Sequence, residues 1–273
     1  LDGVNDQLVP IFRTGINYHI SGYTFLRASF GQGYRYPSIA EKHASTTVGS
    51  IIIIPNSFIL PEKGWGSEIG IKQGITKGTL NGQADLSFFY MQNSDMIEYK
   101  FGFYPEGLGF RATNNVREAR VYGAELEFLL YRSFGKLNAT FSGGYTFIYP
   151  VEYDTYMHRN TDTYLNYRRM HSVNIIMNTE WKKFDLGLDL YIKSRMLNID
   201  SVFLDTQILP GFDRYWPEHN KAFGVLDGRI GYKITQKLNV SFAVKNITNS
   251  EYMGRPGDIQ PQRNYSLRLS GKF

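Results

Sequence analysis

Taken two residues at a time, residues 263–273 sort onto two faces. Tyr265, Leu267, Leu269 and Phe273 fall on one, and Asn264, Ser266, Arg268, Ser270 and Lys272 on the other. A period of two is a β-strand with one apolar and one polar face. The polar face carries Arg268 and Lys272 and needs water; the apolar face needs a protein core or lipid. A strand of this kind that ends on an aromatic residue is expected to close a barrel.

The same alternation recurs along the chain. Strands are expected at about 10–18, 24–30, 68–76, from 79 past 93, 119–131, 137–147, 171–181, 184–193, 222–234, 238–245 and 263–273. The clearest is 184–193, where Phe184, Leu186, Leu188, Leu190 and Ile192 oppose Asp185, Asp189 and Lys193. Connections alternate strictly between two kinds. Tight turns fall at Ser21-Gly22, Lys77-Gly78, Gly135, Lys182-Lys183 and Thr235-Gln236. Long non-periodic stretches fall at 33–66, 101–113, 150–169, 196–221 and 247–262. About eleven strands, each near the ~9–11 residues that cross a bilayer at a tilt, with every long loop at one end, make the pattern of an outer-membrane barrel. A single such strand reads as an amphipathic strand on a soluble core; the series reverses that reading. The expected fold is an all-β transmembrane antiparallel barrel wall.

The polar faces carry the strongest constraint. Lys72, Asp85, Glu125, Glu127, Asp185, Asp189, Asp227 and Arg229 sit mid-strand, on the side shared with Ser and Asn. On a lipid face at mid-bilayer an Arg or Lys costs roughly 2–4 kcal/mol, so this side is expected to line a wet lumen. Aromatic residues gather near strand ends as two girdles: Tyr18, Tyr23, Tyr131, Phe134, Trp181, Phe184, Tyr232 and Phe273 toward the tight turns or the end of the chain, and Tyr90, Phe147 and Tyr149 toward the long loops. The longest apolar run, Ile51-Ile52-Ile53-Ile54, stops at Pro55 and excludes a membrane-spanning helix. There is no cysteine, hence no disulfide and no thiolate metal site. The net charge of +5 is spread along the chain and forms no nucleic-acid patch. His19, His43, His158, His171 and His219 have no metal-ligand spacing. With no nucleophile–base pair and no phosphate loop, neither an enzyme nor a cofactor is expected.

Several stretches taken together resemble one family. Gly31-Gln32-Gly33-Tyr34-Arg35-Tyr36-Pro37-Ser38-Ile39-Ala40-Glu41 resembles the glycine–aromatic–Arg–x–Pro segment of TonB-dependent outer-membrane receptors. Leu60-Pro61-Glu62 followed by 68–72 resembles their next re-entering strand, and Asn115, Ala119, Gly123 and Glu125 their Asn…Ala…Gly-x-Glu strand. The stretch 167–174 resembles a segment written Arg-Pro-x-His, with Met170 in place of the Pro; 244–252 and the strand to Phe273 resemble the family's ending. The wording Tyr36-Pro37-Ser38-Ile39-Ala40-Glu41-Lys42 is similar to receptors of the Bacteroidetes type. The resemblance implies the C-terminal half of a 22-stranded barrel closed around an N-terminal plug. It implies residence in the outer membrane of a Gram-negative bacterium. It also implies import of a scarce ligand (metal chelate, haem, cobalamin or oligosaccharide) with energy passed through TonB. The partners implied are outer-membrane lipid and, from the same protein or a separate chain, the remaining strands and plug. TonB would act through that plug, the β-barrel assembly machinery through the strand ending at Phe273, and a surface lipoprotein over the loops. Residues 1–7 are expected as the tail of an outer loop.

On this view Arg35, Pro37 and Glu41 contact ligand or plug, or else Arg35 pairs with an acid at the rim. Glu125 and Glu127 are expected to meet basic groups of the plug. Ligand contacts are expected from outer-loop aromatics and cations: Tyr153, Tyr156, His158, Arg159, Tyr164, Tyr167, Arg168, Tyr215, Trp216 and His219. Aromatics offer flat contact surface, and Arg holds carboxylates or sulfates bidentately. Two other readings stay open at this point: a non-transporting barrel serving as scaffold in a larger assembly, and a secreted all-β binding domain soluble without detergent.

Overall fold

The computed structural model describes residues 8–271. Its elements, in order, are β1 (Arg13–Ser21), β2 (Thr24–Arg35), α1 (Ile39–His43), β3 (Thr46–Val48), β4 (Ile51–Ile54), β5 (Glu62–Lys77), β6 (Leu80–Tyr104), β7 (Gly107–Phe134), β8 (Leu137–Asp154), β9 (Arg159–Tyr164), β10 (His171–Trp181), β11 (Phe184–Lys193), α2 (Phe212–His219), β12 (Phe223–Lys233), β13 (Leu238–Lys245) and β14 (Asn264–Gly271). The wall is one antiparallel sheet in the order β1-β2-β5-β6-β7-β8-β10-β11-β12-β13-β14. Each strand pairs with its neighbours in sequence, apart from short elements inserted in loops. Among the described residues β1 and β14 each keep one unpaired edge. Lys272 and Phe273, expected at the end of the closing strand, and residues 1–7, expected as a loop tail, lie outside the described residues.

Two-residue turns join β1 to β2, β5 to β6, β7 to β8 and β10 to β11. The first three place Gly22, Gly78 and Gly135 at positive φ, and the fourth places Lys182 there. That backbone twist matches the twist of the flanking strands.

The long connections differ from the sequence reading. The stretch 101–113, expected to be irregular, is a hairpin: β6 runs 25 residues and β7 28, paired up to Tyr104↔Gly107. The strict alternation of tight turns and long loops therefore fails here. β5 accompanies β6 only to Ser94, and β8 accompanies β7 only from Ala119. Beyond those points the hairpin rises alone by roughly 30 Å, at ~3.3 Å per residue. Surroundings that no longer differ between its two faces leave no two-residue alternation, so periodicity did not reveal it. β4 adds to it in parallel, Ile52 opposite Gly109. A Cβ at Gly109 would lie 2.0 Å from the Ile52 carbonyl oxygen, so only glycine lets the two backbones meet. The stretch 33–66 likewise holds α1 and the β3–β4 hairpin, and 150–169 holds the end of β8 paired with β9.

Register places the two faces without ambiguity, because directly paired residues share a face. One row runs Tyr18, Leu26, Ile71, Leu86, Leu126, Tyr145, Val173, Ile192. A second runs Leu188, Gly228, Val244, Tyr265. These apolar side chains are not covered: Ile69 is 57% and Leu267 76% exposed. A soluble sandwich would bury this face under a second sheet, and the described residues form a single layer. An uncovered apolar face of this extent marks an apolar surrounding medium.

Aromatic rings ring this face near the long-loop end. Phe30, Trp65, Tyr90, Tyr122, Tyr149 and Tyr164 follow one another across adjacent strands, with centroids 5.2–6.3 Å apart. Near the tight turns Trp181, Phe184 and Tyr232 do the same. Tyr131 departs from the expected girdle. It pairs with Asn81 and Thr140 on the polar face, and its hydroxyl bonds Asn138 Oδ1 at 3.1 Å.

Candidate functional site

The polar face of the wall carries a belt of charge at mid-height. Arg27 is central on its left side: its Nε donates to Glu68 Oε1 at 2.9 Å and its Nη1 to Asp85. Arg27 was not singled out from the sequence. Its parity, opposite to Leu26 and Ala28, was the available signal. Lys72 and Asp85 pair directly, as do Asp85 and Glu127, and Ser87 and Glu125. On the right side Arg229 Nη1 bonds Asp185 Oδ1 at 2.5 Å, and Lys245 Nζ bonds Asp227 Oδ2 at 2.7 Å. Lys72, Glu125, Glu127 and Asp189 have no hydrogen-bond or ion-pair partner among the described residues. Lys72, Asp85, Glu127 and Asn174 line a concavity of about 240 Å³ in the wall.

At the outer rim Arg35 reaches two acids. Its Nε donates to Glu62 Oε2 at 2.6 Å and its Nη1 to Glu41 Oε1 at 3.0 Å. Glu41 also closes the start of α1: its carboxylate accepts the Ser38 N–H at 2.6 Å, and its own N–H donates to the Ser38 hydroxyl at 3.2 Å. Burial pushes the Glu41 carboxyl up, but the Ser38 N–H and the Arg35 guanidinium outweigh it and hold the group below 4.5. A carboxylate depressed in the folded state contributes stability above its ordinary value and loses it as pH falls through the depressed one. Protection of the 38–44 amides, corrected for the intrinsic pH dependence of exchange, is therefore expected to stay constant from neutral pH down to about 4.5 and to fall below it. Glu41→Gln should remove the step, and an identical step in that variant would exclude this carboxylate as its source.

The loop between β11 and β12 builds its own small core. Trp216, on α2, is 8% exposed and packs with Met196, Ile199 and Met253, flanked by Phe203, Phe212 and Tyr215. The Asn220 side chain ties this loop together, accepting from Met196 N at 2.8 Å and donating to Met196 O at 2.9 Å. Arg169 joins three segments: Nη1 donates to Ser194 O at 2.6 Å, Nη2 to Met253 O at 2.9 Å, and the guanidinium lies 5.0 Å over the Phe223 ring. Burial lowers its pKa. Beside it Tyr215 stacks on His219 at 3.7 Å. The Tyr215 hydroxyl donates to Glu251 Oε1 at 3.0 Å, and His219 Nε2 lies 3.6 Å from the same oxygen. Burial and that hydrogen bond raise the Tyr215 phenol. Arg169, His219, Lys221, Glu251 and Tyr252 line a cleft of about 450 Å³.

The structure thus brings together Tyr215, Trp216 and His219, and adds Arg169, Glu251 and Tyr252, which sequence reasoning missed. Trp216 is mostly buried in this loop core and also lines the cleft. Tyr167 meets the same loop, edge-on to Phe203 at 6.3 Å, and the Arg168 carbonyl accepts from Leu197 N. Tyr153, Tyr156, His158 and Arg159 sit on a different element, the β8–β9 hairpin. There the Arg120 guanidinium lies 3.2 Å over Tyr153, Asp154 caps the turn, and Tyr156 is 88% exposed. Tyr164 is edge-on to Tyr149 and belongs to the outer girdle. Among the described residues no cluster of three or more His, Asp or Glu side chains could hold a metal ion.

The fold is similar to that of solved receptors. The Serratia marcescens hemophore receptor HasR, solved with its hemophore HasA and heme, aligns with TM-score 0.65 at 15% identity over 96% of this chain. The siderophore receptor PirA from Acinetobacter baumannii aligns with TM-score 0.65 at 15% identity over 96%, and the copper transporter OprC with 0.64 at 16% over 96%. This chain spans only 39–41% of the length of those proteins. No curated protein sequence matched. A family model described as TonB dependent receptor-like, beta-barrel, matches residues 4–247, most of the sequence, and the chain belongs to that family.

Proposed function

We propose that this chain is part of the wall of an outer-membrane receptor that imports a scarce ligand with energy passed through TonB. The observation that carries the reading is the two-faced single layer. An uncovered apolar face with aromatic rows toward both ends suits lipid, and a polar face with a mid-height charge belt suits a filled, wet lumen. Glu125, Glu127, Asp189 and Lys72 lack partners among the described residues and would meet groups of opposite charge on the plug. The ligand would be held by the outer loops, through Tyr167, Tyr215 and His219 and the cleft beside Arg169. The similar proteins named for haem, siderophore and copper favour a metal chelate or haem over cobalamin or an oligosaccharide.

The test uses the full-length receptor in its own cell. Uptake of a labelled iron chelate or haem should be lost when the receptor gene is deleted, and lost equally when TonB is deleted. Binding to isolated outer membranes should survive the second deletion. Uptake that persists without TonB would overturn the energised reading, and an assembled barrel that takes up nothing would favour a scaffold.

A further inference from the structure

The tight-turn end of the wall is basic. Lys77 and Arg132 lie beside the β5–β6 and β7–β8 turns, Lys182 and Lys183 form the β10–β11 turn, and Lys233 and Lys237 flank the β12–β13 turn. Among the described residues none of these side chains has an ion pair. The acids of these stretches, Glu180 and Asp185, lie opposite each other on the polar face, where Asp185 bonds Arg229. At the long-loop end the signs are mixed, as where Arg35 meets Glu41 and Glu62. A group of like charges is ordinarily a solvated surface, so the side of the wall these cations occupy decides what they can do.

Four of them lie on or against the apolar face. Lys77, Leu80 and Arg132 form one row in register, with Leu80 opposite both cations. Arg132 keeps the parity of Leu126 and Phe134, and Lys77 that of Ile69 and Ile71. Neighbouring strands lie ~4.8 Å apart, so the two cations stand about 10 Å apart across Leu80, and their long side chains can converge on one phosphate. The Arg132 guanidinium lies 4.5 Å from the Phe134 ring centroid. The Lys182 and Lys183 ammoniums lie 4.8 Å and 6.0 Å from the Trp181 and Tyr232 centroids. Those rings belong to the girdle at the tight turns. Cations stacked there lay their stems on apolar surface and hold their charge at headgroup height. The tight turns of outer-membrane barrels face the periplasm, so these cations meet the phospholipid leaflet. The row also runs without a break into the uncovered apolar face, which favours a lipid over an acidic protein. We propose that Lys77 and Arg132 hold the phosphodiester of an anionic phospholipid over Leu80, with Lys182 and Lys183 forming a second seat of the same kind. This rests on the reading of the apolar face as lipid-facing and names the lipid that it selects.

The experiment is a lipid titration of the full-length receptor in detergent, followed by native mass spectrometry. Phosphatidylglycerol should bind more tightly than phosphatidylethanolamine, and added salt should narrow the difference. Lys77→Gln and Arg132→Gln should each weaken phosphatidylglycerol about fivefold, the worth of one cation beside an anionic headgroup, and leave phosphatidylethanolamine unchanged. Lys77→Arg should keep the parent affinity, and so should Lys63→Gln, at the other end of β5. Heat-modifiable gel mobility checks that each variant is folded. Equal affinity for the two lipids in the parent, or an equal loss in Lys63→Gln, would overturn the headgroup site and leave the lipid-facing reading standing. Binding of neither lipid would overturn both. Displacement of phosphatidylglycerol by glycerol phosphate at matched concentration would assign the cations to a soluble phosphate and overturn the lipid. An acidic protein that copurifies with the parent and is lost from the Lys77→Gln and Arg132→Gln variants, at unchanged lipid affinity, would overturn it as well.

Discussion

Leu188→Arg is expected to lower the stability of the wall by roughly 2–4 kcal/mol, while Asp189→Arg, one residue along the same strand, leaves it unchanged. Leu188 lies in the middle of β11, paired with Met177 on one side and Gly228 on the other, all on the apolar face. The rows above and below it, Leu186 and Leu190, are apolar as well. A guanidinium there has no acceptor and no water within reach, at a cost of roughly 2–4 kcal/mol on a lipid face near mid-bilayer. Folded domains hold only about 5–15 kcal/mol in total, so the loss is a large fraction. Asp189 points to the other side, paired with Ile176 and with Asp227. An Arg at that position meets water and the carboxylate of Asp227. Refolding of the full-length receptor into lipid vesicles, followed by its heat-modifiable gel mobility and a urea titration, separates the two variants. Equal losses for both would remove the assignment of faces, and no loss for Leu188→Arg would remove the bilayer.

Trp216→Ala is expected to unfold the loop between β11 and β12 and leave the wall intact. Trp216 is the largest side chain in a small core with Met196, Ile199 and Met253. Removing a buried Trp costs about 3–5 kcal/mol, and a loop core of this size has few other contacts to absorb it. The consequences should reach the cleft, because Arg169 donates to the Met253 carbonyl and Tyr215 to Glu251. Amide exchange should become fast over 196–220 and 250–254, while protection in β10 through β13 stays at the parent level. Ligand binding should fall with it. Tyr156→Ala, at an exposed hairpin tip, should change neither stability nor exchange. Unchanged protection around Met196 and Met253 in the Trp216 variant would show that the cluster carries no stability.

Those two residues also show where sequence reasoning stopped. Leu188 and Asp189 were assigned to opposite faces from alternation alone, because a strand between lipid and water repeats every two residues whatever its neighbours are. Tyr131 fits a girdle by its position near a turn, but its parity with Glu127 and Leu129 puts it on the polar face. In the sequence Trp216 reads, with Tyr215 and His219, as a loop aromatic. Composition could not distinguish a ring that fills a loop core from one that faces outward, since that depends on Met196 and Met253, distant in the chain. Arg169 and its neighbour Arg168 look alike in the sequence. Nothing local separates two adjacent arginines; the carbonyls of Ser194 and Met253 do.

The sequence by itself determined the strands of the wall, their order, the two faces and the family, because each follows from a short-range repeat or a local motif; it did not determine β3, β4 and β9 in the loops. Nor did it determine the height of the β6–β7 hairpin, the parallel seat of β4 beside Gly109, or the linking of Arg27 to Glu68 and Asp85. Those depend on register between strands. Register is set by hydrogen bonding across the sheet between residues far apart in the chain, and above the bilayer no difference between the two faces writes it into the pattern of side chains.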